Sequence, residues 1–159
     1  MNEKQKITVI TQIGDEEGFS AHEYKDTRGF NSIGKGYNLD ANPLRLSIKE
    51  LQSARHNGIN EAMATLWLMR MVEEIETKLS NALSFFSELS EVRQAVLICM
   101  AYQMGCEGLM GFKNTLLAIR HSDYELAAIS MLDSKWAKQT PARAHRMAKQ
   151  IETGEWQHG

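Results

Sequence analysis

Pro43 divides the sequence into two kinds of pattern, and that division constrains the fold more than any other feature. Upstream, the first dozen residues read as a short helix with Ile7, Ile10 and Ile13 on one side, ending near Gly14 or Gly18. Glycines then cut the chain into short alternating stretches, HEY, FNSIG and GYNL. Stretches of that kind between glycine-rich turns read as a small antiparallel sheet, with GKG at 34–36 as a strand-and-turn feature. Downstream, apolar residues keep helical spacing to the end of the chain. Asn57-Gly58 forms a turn, and Asn60 caps a long helix with Glu61 in its first turn. Leu68, Val72, Ile75 and Leu79 make one stripe along that helix. A further helix from about Ser90 carries Val92, Val96 and Met100 and stops near Gly105. Ser122 with Glu125 reads as a capping box, Thr140-Pro141 as another helix start, and Gly154 as the last breaker. The expected class is α+β, mainly α, in a single domain over residues 1–159. It comprises a small β-containing N-terminal lobe at about 14–59, a connecting helix at about 60–80 and a larger helical lobe at about 81–156. An extended polymer would lie in a cleft between two such lobes.

Composition narrows the class of protein. With 43% apolar and 24% charged residues, the chain has the balance of a globular protein able to bury a core. No apolar run approaches the length that crosses a bilayer, and the N-terminal residues carry no secretory pattern. The formal net charge of −2 gives no support to nucleic-acid binding. Any attraction to an anionic polymer is local, from Lys135, Lys138, Arg143, Arg146 and Lys149, which read equally well as a solvated helix face. Cys99 and Cys106 lie in one helix and its exit, about 10 Å apart by helical rise, too far for a disulfide. Cys99 sits among apolar residues and is expected in the core. The five histidines are scattered, with no metal-binding spacing, so no metal or other cofactor is expected.

The chemistry is concentrated in EEGFSAHEYKDTRGFNSIGKGYNL, where Glu17, Asp26 and Ser32 set out an acid, a second acid and a hydroxyl. Cleaving a glycosidic bond needs one carboxyl to protonate the leaving oxygen and a second carboxylate to activate water or stabilise charge at the sugar. A hydroxyl beside the second carboxylate is a handle for the water. Glu17 is then the general acid, served by partial burial beside Phe19, and Asp26 is the base. Asp followed by Thr and Gly also closes a turn without any chemical role.

EEG, YKDTRG and SIGKGYNL closely resemble the catalytic segment of the T-even phage lysozymes, the phage-type muramidases among the glycoside hydrolases. NGINEA, AYQMG, GFKNTLLAI, SKWAKQTPARAHR and TGEW follow in that family's order, so the resemblance runs from about Ile13 to Trp156. It implies a lysozyme-like fold and an endolysin acting on peptidoglycan glycan strands as a monomer. It also implies synthesis in the host cytoplasm and access to the wall through a separate pore-forming protein, a holin. By the same resemblance Asn38, Tyr102, Thr115 and Ser130 bind substrate, Gln103 and Trp136 brace one wall of the groove, and Arg143 reaches across the cleft to orient Glu17. Ser32 stands where the family usually has threonine, keeping the hydroxyl but losing the methyl that fixes its rotamer. Tyr37 stands where the T-even lysozyme has histidine, which puts a stabilising ion pair in doubt. Two other readings stay open: a one-acid lytic transglycosylase, and a non-catalytic wall-binding relic or phage structural component.

Overall fold

The computed structural model describes residues 1–158. Contacts divide them into two compact units, Asn2–Glu74 and the segment from Ile75 onward with Met1, and the boundary falls inside one long helix.

In the first unit, helix α1 (Glu3–Glu17) starts at Asn2, whose side chain and that of Gln5 cap one another's backbone N–H. It runs through Gly14 and stops at Gly18, where φ is +69°, so the later of the two expected ends is the real one. Strands β1 (Ser20–Lys25), β2 (Asn31–Gly34) and β3 (Tyr37–Asn38) pair antiparallel in that order. Helix α2 (Ile48–Asn57) is capped by Ser47 and closed by Gly58, the turn expected at Asn57-Gly58. Ile33 and Tyr37 face each other across β2 and β3. They share a core with Leu39, Leu44, Leu46, Ile59 and Trp67.

Tyr37 is 3% exposed and packs its ring against Trp67 with centroids 5.1 Å apart. Its hydroxyl donates to Asn42 Oδ1 at 2.7 Å and accepts from the Leu44 N–H at 3.1 Å. Asn42, at φ +44°, also binds both backbone groups of Leu46. A hydrogen-bonded clasp on the loop after β3 therefore occupies the place in doubt for an ion pair. On the surface, Arg55 of α2 joins Glu23 of β1 at 3.0 Å and Asp40 at 3.4 Å. Hydrogen bonds from the Asn31 backbone and then its side chain, assisted by Arg55, hold the Asp40 carboxyl below its ordinary value.

Helix α3 (Glu61–Ala82) belongs to both units; Asn60 accepts the Met63 N–H as the expected cap, and Leu68, Val72, Ile75 and Leu79 are all buried. The second unit continues through a 3-10 turn at Phe86–Glu88 into α4 (Glu91–Met110), α5 (Lys113–Arg120), α6 (Tyr124–Leu132), α7 (Lys135–Gln139) and α8 (Pro141–Thr153). Leu97, Ile98, Met100, Ile119, Met131 and Met147 lie at its centre. Arg93 donates to the carbonyls of Ile151 and Glu152 at 2.7 and 3.0 Å while lying 3.5 Å over the Tyr124 ring. A cation thus closes the C-terminus of α8, where helix carbonyls lack partners.

The helix from Ser90 does end at Gly105 (φ +81°, ψ 158°), as expected, and a second helical segment runs on to Met110. Two local expectations, both about capping, are corrected. The cap of α6 is Asp123, which accepts the Leu126 N–H, because Ser122 sits at φ +58°. Thr140 does precede the helix, but its hydroxyl donates back to the Trp136 carbonyl instead of capping α8. Neither cysteine is in a disulfide, and Cys99 is only half-buried.

Two outcomes follow. Tyr37→Phe leaves the buried Leu44 N–H without its acceptor and is expected to lower unfolding free energy by about 1–3 kcal/mol in urea titration. Because the folded-state pKa of Asp40 is depressed, its contribution to stability is present above the ordinary carboxylate value of 3.8 and is lost as pH falls through the lower folded value. Asp40→Asn should therefore lower the melting temperature at neutral pH and flatten the acid limb, the difference from wild type vanishing as pH falls through the folded value.

Candidate active site

Glu17 is the last residue of α1, and its side chain lies along the backbone of the turn between β2 and β3. A Cβ placed on Gly36 would come within 2.8 Å of Glu17 Oε2 and 3.1 Å of its Cδ. Gly36 also has φ +81°, so glycine is required there both for backbone conformation and for the approach of the carboxyl. Phe19, the expected apolar neighbour of Glu17, is the next residue but one along the chain. It is 42% exposed and lines a separate pocket of about 380 Å³ with Ile7, Ile10, Gly14 and Met69, to which none of the expected site residues contributes.

Asp26 follows β1 and is held by its own turn. Its Oδ1 accepts the N–H groups of Arg28 and Phe30, both at 2.9 Å, and its backbone N–H donates to the Phe30 carbonyl at 2.8 Å. Turn chemistry and a fixed carboxylate are the same arrangement here. An ionised carboxylate with one oxygen so committed presents the other in a defined direction.

Ser32 lies on β2 opposite Tyr24 of β1 and Asn38 of β3. Directly paired residues of antiparallel strands share a face, so Tyr24, Ser32 and Asn38 form a row. Their face is the reverse of the one that carries Ile33 and Tyr37 into the core, since successive residues point oppositely. Asn38 uses its Oδ1 to accept the Ala41 N–H at 2.9 Å, which orients its amide. Tyr24 is the member of the row that sequence reasoning missed. Burial, then the charges of Glu17 and Asp26, push its phenol above the ordinary value, so both carboxyls bear on one side chain. Gly36 was missed as well; its one signal was the second glycine of GKG.

The remaining expected residues lie in the second unit. Thr115 of α5 donates to the Ser130 hydroxyl of α6 at 3.0 Å. Thr115 is 1% exposed, so within this pair Ser130 is the member that can meet a ligand. Trp136 of α7 donates from Nε1 to Gln103 Oε1 of α4 at 2.8 Å and takes the edge-to-face partner Phe112 at 6.0 Å. Both contacts suit a bracing role. Tyr102, half-buried, sits three residues before the break at Gly105, and Arg143 is half-buried on α8. Among the described residues no group of three histidine, cysteine or acidic side chains is placed to hold a metal, and no single helix is long and apolar enough to cross a membrane.

Comparison with known proteins identifies the family. The phage lysozyme family model matches residues 14–151. Probable T4-type lysozyme 1 of Dictyostelium discoideum is 28% identical over 165 residues, covering 92% of this chain and 96% of that protein. The pre-baseplate central spike protein Gp5 of Enterobacteria phage T4 is 26% identical over 96% of this chain, which spans 29% of it. Peptidoglycan hydrolase gp36 of Pseudomonas phage phiKMV is 25% identical over 88% of this chain and 14% of its own length. With the matched model extending over most of the sequence and a mainly helical fold carrying one small antiparallel sheet, the chain belongs to the phage lysozyme family of glycoside hydrolases.

Proposed function

We propose that this lysozyme is an endolysin that hydrolyses the β-1,4 bond between N-acetylmuramic acid and N-acetylglucosamine in peptidoglycan, with inversion at the anomeric carbon. The reading is supported by the family match over residues 14–151, with Glu17 beside the β2–β3 turn, Asp26 fixed by its own turn and Ser32 on β2. Glu17 gives its proton to the glycosidic oxygen as the bond to the anomeric carbon breaks. Asp26 takes a proton from a water held by the Ser32 hydroxyl, and that water attacks the opposite face of the sugar. Solvent exchange then returns the proton to Glu17. Asn38, Tyr102 and Ser130, the last backed by Thr115, are proposed to supply saccharide contacts. Gln103 and Trp136 hold their wall, and Arg143 is a supporting cation. No metal or other cofactor enters the reaction. The enzyme acts as a monomer on glycan strands in the periplasm, reached from the host cytoplasm through a separate pore-forming protein, and the outcome is host lysis.

A second reading has one observation in its favour, the likeness to a phage central spike protein. In that reading the chain serves a phage structural component and holds peptidoglycan without cutting it.

Digestion of purified peptidoglycan, followed by mass spectrometry and nuclear magnetic resonance of the products, separates these. The wild type should release reducing muramic ends with inverted configuration, and Glu17→Gln should reduce the rate by at least about 100-fold. Asp26→Asn should be comparably impaired; anhydro ends with Asp26→Asn fully active would mean a one-acid transglycosylase instead. Binding without shortening of the strands would favour the structural reading. Gly36→Ala tests the placement of Glu17: the added methyl must displace the carboxyl, and kcat should fall by about 10- to 100-fold well below the melting temperature. Equal activity in Gly36→Ala would mean that Glu17 does not work from its observed position.

A further inference from the structure

Ser32 presents a geometric puzzle. It lies on the sheet face turned away from the Ile33–Tyr37 core, yet it is only 2% exposed. Its cover must come from its own face, and the large side chain paired directly with it is Tyr24. On the other side of the same strand, Glu23 is engaged with Arg55, so alternation directs Tyr24 toward the Ser32 row. Asp26 follows two residues later, just past the end of β1, held by two backbone N–H groups. Tyr24 is half-buried and has no place in the core of its unit.

We infer that Tyr24 is a positioning residue for the attacking water, its phenol standing opposite Ser32 to complete the water's hydrogen bonds beside Asp26. The inference rests on the inverting reading of Glu17, Asp26 and Ser32 given above. A water molecule that attacks carbon must keep one lone pair aimed at it. One of its hydrogens goes to Asp26, and the second needs an acceptor that does not pull the lone pair away. The phenol oxygen supplies that acceptor while its own hydrogen donates to a carboxylate, so Tyr24 keeps its proton throughout and no covalent step involves it. Burial and the charges of Glu17 and Asp26 raise its ionisation above the ordinary phenol value, which keeps it neutral across the working range. The arrangement also bears on the serine at position 32. A serine hydroxyl alone fixes a water less firmly than a threonine would, and a phenol directly across the strand pair restores a second point of attachment.

Tyr24→Phe removes one oxygen and keeps the ring, so folding should be preserved, with melting temperature within about 2 °C of wild type. On soluble glycan fragments, kcat should fall by about tenfold or more while KM stays within about twofold, since the contact is to water and not to sugar. An unchanged kcat, or a change confined to KM, would overturn the inference. Glu17→Gln and Asp26→Asn in the same assay keep the two levels apart. If Glu17→Gln matches the wild type, the site reading fails and the inference with it; if Glu17→Gln is inactive and Tyr24→Phe is not impaired, the inference alone fails. A readout besides activity comes from nuclear magnetic resonance of protein labelled at the tyrosine ring Cζ. The resonance that vanishes in Tyr24→Phe should titrate above the ordinary phenol value in the wild type and move to lower pH in Glu17→Gln and in Asp26→Asn. Resonances that ignore both carboxyls would place the phenol elsewhere and overturn the assignment.

Discussion

The antiparallel pairing of three short strands is the constraint on which the site in the first unit depends. β3 is two residues long and β2 four, so register is fixed less by strand length than by the turn that joins them. Gly34 and Gly36 supply that turn with φ values of +68° and +81°. A Cβ at Gly34 would come within 2.9 Å of Ile59, while Gly36 admits the Glu17 carboxyl. A slip of one residue would send Ser32 to the core face and Ile33 out of it. The apolar demand of the Ile33–Tyr37 core and the placement of the candidate hydroxyl are thus one requirement, met by a single register.

What was legible in the sequence followed from local rules. The stripe from Leu68 to Leu79, the Asn60 cap and the Asn57-Gly58 turn each depend on spacing within a few residues, and each is found as read. The failures share a different cause. Ser122 and Thr140 carry the right side chains for capping, but capping depends on dihedral angles that neighbouring packing sets. Ser122 is in the left-handed region, and Thr140 turns back to Trp136. At Gly105 the extended ψ of 158° with positive φ ends one helical segment before another begins, the stop that the glycine signalled.

In the candidate site, residue types were easier to read than the partners that position them. Glu17, Asp26 and Ser32 carry functional groups that a one-dimensional pattern can name. Gly36 and Tyr24 act through space, one by lacking a Cβ and the other by standing across a strand pair, and neither property is written in spacing along the chain.

Tyr37 shows how such a scaffold accommodates an altered residue without altering its task. A buried ion pair must offset the removal of two charges from water, and its net contribution to stability is small even when its geometry is good. A phenol that donates to Asn42, accepts from Leu44 and packs at a tilt against Trp67 meets every polar obligation it brings into the core without any charge. The clasp spans the loop immediately after β3, where Asn42 and Arg45 both have positive φ, a conformation that needs external support in residues other than glycine. That loop begins next to Asn38, whose Oδ1 holds the Ala41 N–H. A neutral hydrogen-bonded network here therefore does more than replace lost stability: it fixes the backbone from which the sheet presents Asn38 beside Ser32.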